Sequence, residues 1–184
     1  VALYLNYERQ EESGVYVDGQ TYLPAAWVDA NLNERFYWDA NEEILVYALP
    51  EEIVKSDETT VDEDGKKILY RDGDAVYLSL ALIQKYTDVR LQAYDGEAQK
   101  RVFVENNWDP VTVADAAWSA KIRLRGGLKS PIVTEIKRGG TVTVLEQYDN
   151  WARVMTPDGH IGYMHKWKMK NLHEETLKSD FTAP

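Results

Sequence analysis

Apolar and polar positions alternate from residue 122 to residue 169, and turn-forming residues repeatedly cut the alternation short. Five short strands follow from this pattern. Residues 122–124 are apolar, charged, apolar. Residues 132–136 start after Ser130-Pro131. Residues 141–147 set Val142 and Val144 against Thr141 and Thr143. Residues 151–155 set Trp151, Arg153 and Met155 against Ala152 and Val154, and 161–164 close the set. The separators are Gly126-Gly127, Gly139-Gly140, Asp149-Asn150 and Pro157-Asp158-Gly159. Period-two runs at this spacing, punctuated by Gly, Pro, Asn and Asp, predict a small all-β barrel over 121–170.

Residues 1–105 follow another pattern. Residues 17–49 and 71–104 align as a degenerate duplication. Tyr22-Leu23-Pro24 falls on Tyr77-Leu78-Ser79, Val28 on Ile83 and Phe36 on Leu91. Each copy reads strand, helix, strand, strand. The first helix is predicted to start at Pro24, whose missing N–H costs nothing in a first turn, and presents Trp27 or Val28 and Leu32 at three-to-four spacing. The second starts after Ser79, a good N-cap, with Leu80, Ile83 and Tyr86 on one face. Hairpins are expected at 35–39 with 44–48 and at 89–93 with 100–104, and residues 2–7 supply an opening strand. A repeat of this length implies two similar units packed on each other, because neither buries a core alone. Between the copies, Asp57, Glu58, Asp62, Glu63 and Asp64 lack the alternate-position spacing of a calcium loop and read as a solvated acidic hairpin loop. Residues 106–120 are expected to connect the two modules. Residues 171–184 show no periodicity and read as a linker.

Two resemblances attach to these residues. Arg123, Gly139-Gly140 before Val142 and Val144, Trp151 ahead of Arg153-Val154, and Gly159 followed by Gly162-Tyr163 make 121–170 resemble the bacterial SH3-like domains. The loop Gly126-Gly127-Leu128 departs from the Pro- or Asn-rich loop common there. The resemblance implies a non-catalytic module that binds cell-wall peptides or glycans, or acts as a spacer beside wall enzymes. Tyr22-Leu23-Pro24, Tyr37-Trp38-Asp39 and the apolar run 44–47 make 1–105 resemble the domain named for the N-terminal region of copper amine oxidases, a stalk in surface proteins of spore-forming bacteria. No copper site belongs to that block. The expected fold is therefore an α+β duplicated stalk domain followed by a small all-β SH3-like barrel. Stalk, barrel and acidic linker in that order also resemble the N-terminal region of chitinase-like glycoside hydrolases of family 18. That family's D-x-x-D-x-D-x-E motif does not occur in this chain, so the resemblance places any catalytic barrel after Pro184.

Charge sharpens this division. The 184 residues carry a formal net charge of −10. Residues 121–170 hold ten Lys/Arg against four Asp/Glu, a net of +6, whereas 1–120 carry −14. A basic barrel favours an anionic wall polymer, while the overall acidity disfavours nucleic acid. Apolar residues make up 44%, which supports a core, and no apolar run is long enough to span a membrane. Cysteine is absent, which removes disulfides and thiolate chemistry together. The chain opens at Val1 rather than Met, as a processed or excised piece would, so a missing leader carries no weight.

No catalytic, metal or cofactor constellation emerges. The histidines are His160, His165 and His173, and the first two stand five apart, off any shared helical face. No nucleophile elbow, phosphate loop or dinucleotide glycine pattern occurs. The candidate ligand-binding residues are Tyr148, Trp151, Tyr163, His165 and Trp167, since sugars and peptides need flat apolar faces with polar edges. Trp151, a large aromatic in an alternating strand, is expected in the barrel core, and Trp167, in KWKMK beyond the last strand, is the better exposed. The expectation is a non-catalytic wall-targeting or stalk region, extracellular or at the cell surface, with a cell-wall glycan or peptide as partner. The alternative is a spacer or protein-interaction module without a ligand of its own.

Overall fold

A computed structural model describes all 184 residues. They divide into two compact units, Val1–Asn106 with Ser179–Pro184, and Asn107–Lys178.

The first unit contains β1 (Ala2–Leu5), β2 (Glu8–Ser13), β3 (Val15–Val17), β4 (Gln20–Pro24), α1 (Ala25–Asn31), β5 (Phe36–Asp39), β6 (Ile44–Ala48), β7 (Ile53–Ser56), β8 (Leu69–Asp72), β9 (Ala75–Ser79), α2 (Leu80–Tyr86), β10 (Arg90–Tyr94) and β11 (Arg101–Glu105). The strands form three sheets in the orders β10-β11-β1-β2, β3-β4-β9-β8 and β5-β6-β7. β1 runs parallel to β11, and the other pairings are antiparallel.

This overturns the α+β reading. The unit is nearly all β, and its two helices have seven residues each. Both helices arise where the three-to-four spacing placed them. Ser79 Oγ accepts from the Leu82 N–H at 3.1 Å and caps α2, while Pro24 is the last residue of β4 and the cap position of α1. The expected pair of equivalent halves is not formed either. Leu23 lies opposite Leu78 in neighbouring antiparallel strands, but β5 and β6 continue into a sheet with β7, whereas β10 and β11 join β1 and β2. One core runs beneath the sheets, with Leu23, Trp27, Val28, Leu78 and Ile83 inside. Tyr47 stacks on Tyr86 with ring centroids 4.3 Å apart, and Phe36 lies 4.7 Å from Tyr47. In the acidic loop, Asp57 and Asp62 accept backbone N–H bonds from Thr59 and Asp64, so these side chains close turns.

The second unit contains β12 (Val111–Ala116), β13 (Ala120–Arg123), β14 (Ile132–Ile136), β15 (Thr141–Gln147), β16 (Trp151–Met155), β17 (Ile161–His165), a 3-10 turn at Lys166–Lys168 and β18 (Met169–Glu175). All lie in one antiparallel sheet of order β14-β13-β17-β16-β15-β12-β18. The five strands read from the alternation are present. Two more flank them, in the stretches expected to be connector and linker. β12 and β13 follow one another directly yet pair with different neighbours, β15 and β18 for the first, β14 and β17 for the second, so the sheet wraps around its inner face. The core on that face is Ala114, Ala116, Ala120, Ile122, Ile136, Val142, Val144, Ala152, Val154, Met164 and Met169.

Candidate functional site

The alternation that builds this core also decides what faces out. In β16, Ala152 and Val154 point inward, so Trp151 and Arg153 point outward. In β17, Gly162 and Met164 are buried, so Tyr163 and His165 point outward. β16 and β17 pair with Trp151 opposite His165 and Arg153 opposite Tyr163. Trp151 is therefore not a core residue, against the expectation from its size. An alternating strand has two phases, and the small, closely packed residues took the inner one.

All five candidate residues come together. Trp151 and His165 have ring centroids 5.0 Å apart, and His165 and Trp167 5.5 Å. Tyr148, at the turn after β15, lies 6.1 Å from Tyr163. Trp167 is 73% exposed and Tyr148 48%, whereas the other three are half-buried. His165 Nδ1 is shielded from solvent and has no hydrogen-bond partner, so ring packing holds the imidazole.

Polar groups edge the rings. Arg123 lies opposite Tyr163 from the β13 side, so Tyr163 sits between Arg123 and Arg153 along a cross-strand row. Arg123 is anchored by donating to the Ser130 carbonyl at 2.8 Å, and Arg153 pairs with Glu146 at 3.5 Å. Lys166 Nζ donates to the Tyr148 carbonyl at 2.9 Å. The Tyr148 hydroxyl donates to Glu146, and that carboxylate, which prefers a protonated neighbour, pushes the phenol up to about 12. The loop after β13 closes the other side of Trp151. A Cβ on Gly126 would stand 3.2 Å from Trp151 Cγ, a tight contact, so glycine lets that backbone lie against the indole without displacing it.

Arg123, Arg153, Lys166 and Gly126 were not among the candidate residues. Arg153 was reachable from sequence, since it shares the outward phase with Trp151. The approach of Gly126 to the indole was not, because it depends on the path of a loop. No group of three or more His, Cys, Asp or Glu side chains is placed to hold a metal ion. His173 is engaged with Glu175 at 3.1 Å on β18. No helix is long and apolar enough to cross a membrane.

Residues 118–170 match the family model of the bacterial SH3 domain. The match lies wholly within the second unit and identifies a binding-type module. It includes all five ring-bearing candidates and leaves out β12 and all but the first two residues of β18, the two strands that the alternation did not predict. No curated protein and no solved structure matches the chain.

Proposed function

We propose that the chain is a non-catalytic binding region that attaches to the bacterial cell wall through the ring-lined face of its SH3 unit. One observation carries the reading: no aromatic residue enters the core of this unit, while five rings stand together on its outer face. Flat rings with charged edges suit a glycan or a peptide, which offers apolar faces and polar rims in turn. Arg123, Arg153 and Lys166 border the same face, and with the net +6 of residues 121–170 they favour a polymer that carries negative charge. An extracellular or cell-surface location belongs to this proposal. The further reading of a family 18 glycoside hydrolase as the parent protein rests on the resemblance in module order alone.

The test is co-sedimentation of the full chain with purified peptidoglycan, with and without teichoic acid. Trp167→Ala is expected to weaken binding about tenfold with an unchanged melting temperature, because an exposed ring contributes to contact and little to folding. Binding to the teichoic-acid form should fall as salt rises, since exposed charge attraction is screened over about 8–10 Å at physiological ionic strength. Equal binding by Trp167→Ala and the parent chain would overturn the site. No sedimentation with either wall preparation would leave a spacer without a ligand of its own.

A further inference from the structure

The first unit carries an open groove of about 380 Å³ between α1, β5 and the start of β9. Phe36, Tyr37 and Trp38 all line it. Successive residues of a strand point to opposite faces, so a groove touching three in a row runs along the strand's edge rather than beneath one face. That edge is free. β5 pairs only with β6, in the sheet β5-β6-β7, and no other backbone bond crosses to its far side. A strand edge with unpaired N–H and C=O groups is a template for another strand.

The chemistry of the lining narrows what that strand is. Asp29 and Asp74 are its charged side chains, both exposed, and neither makes a hydrogen bond or ion pair within the chain. No Lys or Arg lines the groove. The rings beside the carboxylates accept cations. The Arg71 guanidinium already lies 5.1 Å from the Trp38 ring centroid, held there by Glu43 at 3.2 Å. Tyr37, 62% exposed, and Tyr77 offer further ring surface without an internal cation.

We propose that this groove binds an extended, cationic peptide segment of a partner protein, which adds to the free edge of β5 and seats Lys or Arg side chains between the rings and the two carboxylates. Alternate residues of an extended peptide share one face, so a segment with a basic residue at every second position brings several cations to the same wall. A neutral glycan would stack on the rings but make no use of the strand edge or the two unpaired carboxylates. A second copy of this edge would bring like charge to like charge, because residues 1–120 carry −14.

The experiment is calorimetric titration of the full chain with the capped peptide Ac-TKTKTKT-amide. Its controls are Ac-TETETET-amide and the Lys peptide N-methylated on every internal amide. The Lys peptide is expected to bind and both controls to fail. The double variant Asp29→Asn with Asp74→Asn, and Tyr37→Ala separately, should each weaken the Lys peptide about tenfold, in keeping with loss of cation–ring and charge contacts at an exposed site. Their melting temperatures should stay unchanged, since all three side chains are exposed. No binding of the Lys peptide overturns the proposal. Equal binding by the variants, by the methylated peptide, or by chitotetraose in a Tyr37-dependent manner does so as well.

Discussion

In the first unit Trp27, Phe36, Tyr47 and Tyr86 sit in the core, whereas in the second unit the core is made of Ala, Val, Ile and Met and every ring lies outside it. The difference follows from how each unit is closed. Three separate sheets and two short helices leave wide gaps between layers, and large rings fill them. A single sheet wrapped around its own inner face leaves little room. Gly162 shows how little: a Cβ there would come 2.6 Å from Ile122 Cγ2. The buried rings of the first unit therefore hold its fold, whereas the rings of the second are left for contact. Trp27 and Trp167 show the contrast, one buried in a core and the other exposed.

The sharpest way to break that comparison is to truncate one Trp from each unit. Trp27 is 3% exposed, and Trp27→Ala should destabilise the first unit by about 3–5 kcal/mol through lost burial and a residual cavity. Trp167→Ala should change the second unit by no more than about 0.5 kcal/mol, as exposed substitutions generally do. Urea unfolding with hydrogen exchange as the readout separates the units, and equal costs for the two variants would remove the distinction.

A smaller effect sharpens it through pH. Glu105 is 3% exposed at the end of β11, and burial raises its carboxyl above the usual range, while Arg90, 3.4 Å away, pulls less strongly the other way. The folded first unit thus holds this proton more tightly than the unfolded chain. Stability from this group is largest below the unfolded value near 4.5, and it declines as pH rises through the folded value. Glu105→Gln should flatten that decline in urea midpoints measured from pH 4 upward. A decline that survives the substitution would assign it to another group.

The smallest effect lies in the second unit and concerns one proton. Tyr148 should ionise near 12 in an ultraviolet titration, and Glu146→Gln should bring it back toward 10 by removing the carboxylate that holds its hydrogen. With the phenol far from the core, the unit's unfolding midpoint should barely move. A phenol that already titrates near 10 in the parent chain would mean that the Glu146 contact does not persist in solution.

The sequence by itself determined the five central strands of the second unit, the starts of both helices, and the membership of the ring set. Each of these is a local matter, written in period-two or three-to-four spacing and in turn residues that act on their own neighbours. β18 was invisible because an edge strand solvated on both sides has no apolar phase. MKNLHEE buries only Met169 and is a strand because its backbone bonds to β12. β12 was hidden in turn by its small inward residues, Ala114 and Ala116. Tertiary structure alone decided that the two helices stop after two turns amid sheets, that the hairpins of the aligned copies enter different sheets, and that Trp151 faces out. Those outcomes depend on which strand edges meet and how much room remains between them, and partners distant in sequence set both.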